Sequence, residues 1–336
     1  MGRYPEVRSR ISIALFLLPI GLLFLYLTVG RYKVGFQGVV GALVGSHDLP
    51  PTARAVVLKV RLPRGLEAAV VGADLSLAGA LFQGMFRNPL VDSRILGVSA
   101  GAAFGAALAI LWGLPWYLVD AVAFAFGLGA VWLVLFLSRR FGGSILVLVI
   151  SGVLVGSLFS ALLGLIKYVA DPLGVLPAIT YWLLGGLSGA RWSDMALLLP
   201  LSLLGGGVLF LSRWRVNLLS LDEREALSLG VNVRRCRAGY VLLGTLLVAA
   251  AVSKAGIIGW VGLITPHAAR ALVGPDHARV IPASAALGAS FLLLLDAIAR
   301  GSMRTEIPLG VLTGIIGVPV FLLLFMRLLQ GRGGWG

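Results

Sequence analysis

Between residues 11 and 328 the sequence returns repeatedly to apolar runs of roughly twenty residues, the length a helix needs to cross a hydrocarbon layer of about 30 Å. A chain with that pattern has few ways to fold. Backbone in lipid must satisfy its own N–H and C=O groups, and a helix does so within one segment. Hydrophobic residues make up 59 % of the 336 and charged residues 12 %, more apolar material than a water-soluble domain of this size could hide. The fold class expected is an all-α polytopic membrane protein, about ten transmembrane helices in one domain spanning 1–336.

The expected spans are 11–29, 61–86, 95–112, 116–137, 144–169, 195–211, 238–253, 261–272, 280–299 and 308–328. The eighth is short and carries Pro266, so it reads as broken or tilted. Residues 31–59 read as a mixed segment outside the membrane, and 178–187 as a short stretch at the same outer surface. Arg3, Arg8 and Arg10 put the N-terminus on the cytoplasmic side; ten spans bring the C-terminus there too, and 17 of the 28 basic residues then face the cytoplasm. The net charge of +14 is strung along loops between spans, which points to orientation and partner docking and away from nucleic acid. The outer basic residues cluster, with Arg54, Lys59, Arg61 and Arg64 at the start of the second span and Arg300 and Arg304 at the end of the ninth. Either anionic headgroups or an acidic external protein would answer such a cluster.

Polar residues within the spans need partners. Glu67 and Asp74 lie seven apart, on one helix face, and a carboxylate at mid-membrane costs about 2.5–3.5 kcal/mol by insertion scales. Both are therefore expected against polar partners or a cavity, while Asp296 and Arg300, four apart, are expected to pair with each other. Small residues four apart (Gly97, Gly101, Gly105; then Gly152, Gly156, Ser160, Gly164) predict close helix packing, or, for the second set, a face lining a solute path. The most sustained polar island is 217–237, where Ser220 and Glu223 form a capping box and Gly230 a stop, predicting a helix over 221–229. A helix so short needs support, from its flanking spans or from a groove in a partner.

Several chemistries are excluded. Gly97-Val98-Ser99-Ala100-Gly101 matches a nucleophile elbow without the strand and sheet that motif requires. Gly186-Leu187-Ser188-Gly189 resembles a rhomboid-protease site, but His47 and His277 fall in expected loops and His267 near one end of a short span. The lone Cys236 rules out a disulfide within the chain, and no P-loop sequence occurs, so ATP hydrolysis would need another subunit. Neither catalytic nor metal-ligating residues are expected.

The runs Arg61-Leu62-Pro63-Arg64, Leu77-Ala78-Gly79-Ala80-Leu81-Phe82-Gln83-Gly84, Arg87-Asn88-Pro89-Leu90, Leu96-Gly97-Val98-Ser99-Ala100-Gly101-Ala102, the polar island, Gly259-Trp260-Val261-Gly262-Leu263-Ile264-Thr265-Pro266-His267, Val273-Gly274-Pro275-Asp276-His277 and Glu306-Ile307-Pro308-Leu309-Gly310 resemble, in order and over nearly the whole chain, the FecCD-type permeases. These are the membrane subunits of type II ABC importers for ferric siderophores, haem and cobalamin. The resemblance implies a homodimer with its path at the subunit interface, two cytoplasmic ATPase subunits that hold the ATP and Mg, and an external substrate-binding protein. It implies no cofactor on this chain. Leu218, Leu219, Leu221, Asp222, Glu223, Ala226, Leu229 and Gly230, within the cytoplasmic segment 217–232, would couple to the ATPase; Arg61, Arg64 and Arg300 would meet the binding protein. The cytoplasmic gate would fall at Ser144, Ile145 and Leu146, more apolar than in the cobalamin importer, which makes cobalamin the less expected cargo. Two departures stand out: Lys254 where a small apolar residue is expected, and Trp260 where Phe is usual. The reading from another class is a secondary transporter using Glu67 and Asp74 as ion sites.

Overall fold

A computed structural model describes residues 4–46, 49–221, 225, 228, 233–302 and 305–330. The described residues are helical and irregular, with no strand among them. In chain order the helices are α1 (Tyr4–Thr28), α2 (Phe36–Val44), α3 (Pro51–Ala55), α4 (Leu62–Phe86), α5 (Val98–Leu111), α6 (Trp116–Arg140), α7 (Ile145–Val169) and α8 (Val175–Leu184). They continue with α9 (Trp192–Leu211), α10 (Arg213–Leu219), α11 (Val233–Ala255), α12 (Val261–Val273), α13 (His277–Gly301) and α14 (Leu309–Gln330). A π-helical stretch, Val56–Arg61, joins α3 to α4, so that Pro51–Phe86 runs unbroken for 36 residues.

Six helices among the described residues are long and apolar enough to cross a membrane, namely Pro51–Phe86, Trp116–Arg140, Ile145–Val169, Trp192–Leu211, Arg235–Ala255 and His277–Gly301. Four shorter apolar helices accompany them: Ala14–Thr28, Val98–Leu111, Val175–Leu184 and Leu309–Leu324. The main correction to the expected spans is at 31–59, which holds α2 and the start of the long helix. Pro51 sits in the first turn, where its missing N–H costs nothing, and so starts the helix ten residues before the expected boundary. At 1.5 Å per residue, 36 residues extend about 54 Å, well beyond a ~30 Å hydrocarbon core.

The long helix is the hub. It packs against α13, α11, α12, α9 and α1, while α5, α6 and α7 form a second group reached through α11. Burial follows this order: 78 % of the apolar window of Pro51–Phe86 is buried, against 22 % for Ile145–Val169, which presents one side outward. The expected glycine stripe on α5 does pack. Added methyl groups at Gly101 and Gly105 would meet the carbonyls of Phe126 and Val122 on α6 at 2.6 and 2.7 Å. On α7 the stripe divides: Gly152 lies against the Ile95 carbonyl, whereas Gly164 has open space around it. A closer contact lies on α4, where the small residues are seven apart. Gly65, Gly72 and Gly79 recur every seven residues on α4 and admit α1, α13 and α12 respectively; a Cβ at Gly72 would lie 2.2 Å from the Gly288 carbonyl, and one at Gly79 1.9 Å from that of Gly262.

Between α4 and α5 the irregular backbone, exposed at Arg87, Asn88 and Leu90 and buried at Val91, Ser93 and Leu96, is held by side-chain hydrogen bonds. Gln83 Nε2 donates to the Val91 carbonyl at 3.1 Å and the Gly262 carbonyl at 3.3 Å, and Arg270 Nη1 holds Gln83 Oε1 at 2.6 Å. His267 Nε2 bonds the Pro89 carbonyl at 2.8 Å. Residues 87–97 and the start of α12 are thereby fastened together.

Replacing Gly72 by Val is expected to force α4 from α13, at about 1–3 kcal/mol or more for overpacking a filled contact. Thermal unfolding of the detergent-solubilised protein should show a clearly lowered midpoint, whereas Gly129→Ala, where a methyl meets nothing within 4 Å, should leave it unchanged or raised.

Candidate functional site

The features that could serve transport lie at the two ends of the helix bundle. At one end, which carries Ser144 and Leu221, the chain from α9 turns through Ser212 into α10. This helix, with Val216 and Leu219 buried and Trp214 exposed, is absent from the sequence reading, although Val216 and Leu219 at i,i+3 among Arg213 and Arg215 signal it. Ser220 ends α10. Its hydroxyl donates back to the Asn217 carbonyl at 2.6 Å, and Glu223, its expected partner in a capping box, lies outside the described residues. Of the residues expected to couple to a partner, Leu219 is 3 % exposed and belongs to the core, Leu218 is half-buried and Leu221 is exposed. Asp222, Glu223, Ala226, Leu229 and Gly230 lie outside the described residues.

What holds α10 is specific. Asn217 Nδ2 donates to Asp276 Oδ1 at 2.7 Å, and Asn217 Oδ1 accepts from the His277 backbone N–H at 2.9 Å. Burial alone would raise the Asp276 carboxyl; the Asn217 and Ala278 hydrogen bonds with the Arg279 and His277 charges hold it below the usual carboxylate range. Arg87, in left-handed conformation just past α4, donates to the Leu221 carbonyl. Leu221 is thus tied to the end of α4, and α10 to the start of α13. Nearby, Ser144 caps α7, its Oγ accepting from the Val147 N–H at 3.2 Å, Ile145 is half-buried and Leu146 is exposed. Gly142 and Gly143 precede them, both in left-handed backbone, beside a cavity of about 400 Å³ whose wall includes Arg235 and Arg237.

The other end corrects the expectation for the basic cluster. Arg61, Arg64 and Arg300 are 2, 6 and 8 % exposed, so none presents a guanidinium to a partner. Arg64 forks onto Asp296, Nε to Oδ2 at 2.9 Å and Nη2 to Oδ1 at 2.8 Å, and reaches Glu306 Oε1 at 2.9 Å through Nη1. The expected Asp296–Arg300 pair does not form, because the planar fork from α4 satisfies both carboxylate oxygens at once and the Tyr26 hydroxyl adds a bond of 2.5 Å. Arg300 turns instead to α1, donating to the Tyr26 and Val29 carbonyls at 3.0 and 2.7 Å with its guanidinium over the Tyr26 ring. Arg61 donates to the Leu27 carbonyl at 2.7 Å and to that of Tyr32. Two arginines therefore cap the C-terminal carbonyls of α1, where a helix end leaves acceptors unsatisfied and favours cations. Among the described basic residues of that cluster, Arg54 and Lys59 are the exposed ones.

Of the mid-membrane carboxylates, Asp74 is buried and bonded by Ser202 Oγ of α9 at 2.5 Å, while Glu67 faces a cavity of about 530 Å³. Lys254 opens onto the same cavity, its ammonium held by Asp120 Oδ2 at 2.6 Å and Asp194 Oδ1 at 2.9 Å. Nothing in the spacing of these four residues announces that they converge. Among the described histidines, His267 bonds the Pro89 carbonyl and His277 bonds Asn217, while Ser188 Oγ meets the Tyr181 hydroxyl at 3.1 Å; His47 lies outside the described residues.

Comparison with known proteins agrees with this architecture. The model of the FecCD transport family matches residues 16–327. The chain is 39 % identical to the molybdate import system permease protein of Haemophilus influenzae, over 97 % of this chain and 98 % of that one. It is 38 % identical to the hemin transport system permease protein of Yersinia pestis, over 82 and 85 % of the two chains. The solved structure of a metal-chelate-type ABC transporter in an inward-facing conformation superposes with a TM-score of 0.88 at 39 % identity, covering 95 % of this chain and 99 % of that one. With an all-helical bundle of the same shape and a family match along nearly its whole length, the chain belongs to the FecCD transport family, the membrane permease subunits of ABC importers, whose ATPase is a separate partner.

Proposed function

We propose that this permease moves a metal chelate, a ferric siderophore or haem, from an external binding protein into the cytoplasm by alternating access, as a homodimer in the cytoplasmic membrane with both termini inside. The observation that carries the reading is the bracing of α10 and Leu221. Asn217 links α10 to the start of α13, and Arg87 links the Leu221 carbonyl to the end of α4, the two helices whose contact forms the heart of the bundle. A push at 218–230 from a pair of cytoplasmic ATPase subunits, which carry the ATP and Mg, would therefore reach the core directly and not dissipate in a loop. The outward side of α7, with Leu146 exposed at its start and Ser160 and Gly164 exposed further on, supports the gate and the subunit interface there.

A second reading of the cargo, an oxyanion of molybdate type, is favoured by the Haemophilus relative, which is matched over nearly its full length. Cobalamin ranks below both, given Ile145 and Leu146 at the gate. A secondary transporter has lost its support, because family membership supplies an ATP-driven partner. External docking is assigned to the exposed Arg54 and Lys59, in place of the buried arginines.

Purification from the native membrane in mild detergent should bring down a P-loop ATPase at equal stoichiometry, and intact protein without one, even with nucleotide present, would remove the coupling role. Reconstituted with that ATPase and its binding protein, the permease should import a radio-iron chelate; uptake of radio-molybdate alone would select the second cargo. Leu221→Asp is expected to separate ATP hydrolysis from uptake or to block assembly, and wild-type uptake would refute the assigned contact. Charge reversal at Arg54 and Lys59 together should weaken docking of the binding protein most at low salt. Arg64→Glu, by contrast, leaves Asp296 facing another carboxylate and should destabilise the permease by roughly 3–5 kcal/mol, read as loss of folded protein.

A further inference from the structure

At the end of α9 the outer surface changes chemistry within a few residues. Leu199, Leu203 and Phe210, four and then seven apart, present a stripe of exposed apolar side chains along the span, and Leu211 beside it is 77 % exposed. Just past Ser212 the stripe ends in Arg213. Its guanidinium lies 4.1 Å from the centre of the Phe210 ring, and its Nη1 donates to the Phe210 carbonyl at 2.6 Å. Trp214 follows, 53 % exposed, with the Arg215 guanidinium 5.4 Å from its ring centre. Two cations are thus each set over an aromatic ring at the end of a span. Among the described residues neither has a carboxylate partner. Val216 and Leu219 take the buried side of α10, and Asn217 is bonded to Asp276 and the His277 N–H, so Trp214 and Arg215 are held facing away from the bundle.

The apolar stripe marks how far the hydrocarbon reaches along α9, and Phe210 to Arg215 stand where it stops, the level that suits tryptophan and arginine side chains. Whatever meets these arginines must carry negative charge and be continuous with the lipid over Leu203 and Phe210. A free anion answers the charge alone. A soluble acidic protein answers the charge but not that continuity, and a zwitterionic lipid brings its own ammonium toward the guanidiniums. An anionic phospholipid answers both: its phosphate oxygens accept the guanidinium N–H groups in charge-assisted bonds while its chains lie on the apolar stripe. We propose that Phe210, Arg213, Trp214 and Arg215 form a headgroup site for an anionic phospholipid, which fastens α10 to the membrane on one side as Asn217 fastens it to the bundle on the other. The site requires only that α9 cross a membrane, and stands apart from the cargo and from the coupling role assigned to Leu221.

The test is native mass spectrometry of the full-length permease in mild detergent, titrated with dioctanoyl phosphatidylglycerol, dioctanoyl phosphatidylcholine or inorganic phosphate. Saturable binding of phosphatidylglycerol is expected, with phosphatidylcholine about tenfold weaker. Arg213→Gln combined with Arg215→Gln should weaken the anionic lipid about tenfold or more. Arg139→Gln combined with Arg140→Gln removes the same charge from the end of α6 and should change binding by no more than roughly twofold. A second measurement leaves the charges intact. In nanodiscs, a minor share of chain-brominated phosphatidylglycerol should quench Trp214, read as the difference between the protein and Trp214→Phe, more strongly than the same share of brominated phosphatidylcholine. Equal affinity for the two lipids, phosphate binding as tightly as phosphatidylglycerol, equal weakening by the Arg139 and Arg140 substitutions, or equal quenching by both brominated lipids would each overturn the assignment. So would an Arg213 and Arg215 double variant that binds lipid as before and loses its co-purifying ATPase, since the surface would then belong to that protein.

Discussion

A buried carboxylate held by a guanidinium fork fixes the position of whatever carries the fork, and Asp296 imposes that condition on the helices around it. Its two oxygens receive the Arg64 fork and the Tyr26 hydroxyl, so the partners of one side chain come from α4 and α1 while it sits on α13. Once Arg64 is committed, Arg300 and Arg61 are free to close the carbonyl end of α1. One buried side chain therefore fixes the mutual position of three helices at this end of the bundle. At the opposite end, neutral amides play the corresponding part through Gln83 and Asn217, which tie irregular backbone and α10 to the same helices.

The long apolar runs were legible because the length of a span is set by the bilayer, and the boundaries of α6, α9, α13 and α14 fall within a few residues of the expected ones. What the sequence concealed was arrangement. Arg300 lies four residues from Asp296, and a local pairing rule chooses it, yet a bidentate partner more than two hundred residues away satisfies more of the carboxylate. Likewise Ser220 stands at the end of α10, a helix that the spacing of Ser220 and Glu223 does not announce. The small-residue stripe on α5 was readable at spacing four; the one on α4 repeats at seven, and its importance depends on which carbonyls approach it. Lys254 was visible as an oddity, and its two aspartates lie 134 and 60 residues away on other helices, beyond any local pattern.

The functional picture joins these layers. A bundle whose core is closed by carbonyl-to-glycine contacts and a buried ion pair is fastened at its other end by Asn217 and Arg87, which hold α10 and Leu221 to α13 and α4. The paired left-handed glycines 142 and 143 stand between α6 and α7, so the least buried of the long helices is attached through the most permissive backbone near it. Stiffness and freedom are thus segregated, the first to α4 and α13 and the second to the entry of α7.

The contact between Gly72 and Gly288 has a consequence for how this chain can change over time. A Cβ on either residue would lie 2.2 Å from the other's backbone carbonyl, so each occupies the space that the other would need to grow. In an ordinary core a large-for-small exchange at one position can be rescued by a small-for-large exchange opposite, but nothing smaller than glycine exists, and backbone obstructs both positions, with Ser76 Oγ nearer still to a Cβ on Gly288. The two positions form a dead end with no second-site escape, whereas the Arg64–Asp296 ion pair, eight residues along the same two helices, can be exchanged for a different pair. Of the two locks on the bundle, the one without charge is the less negotiable.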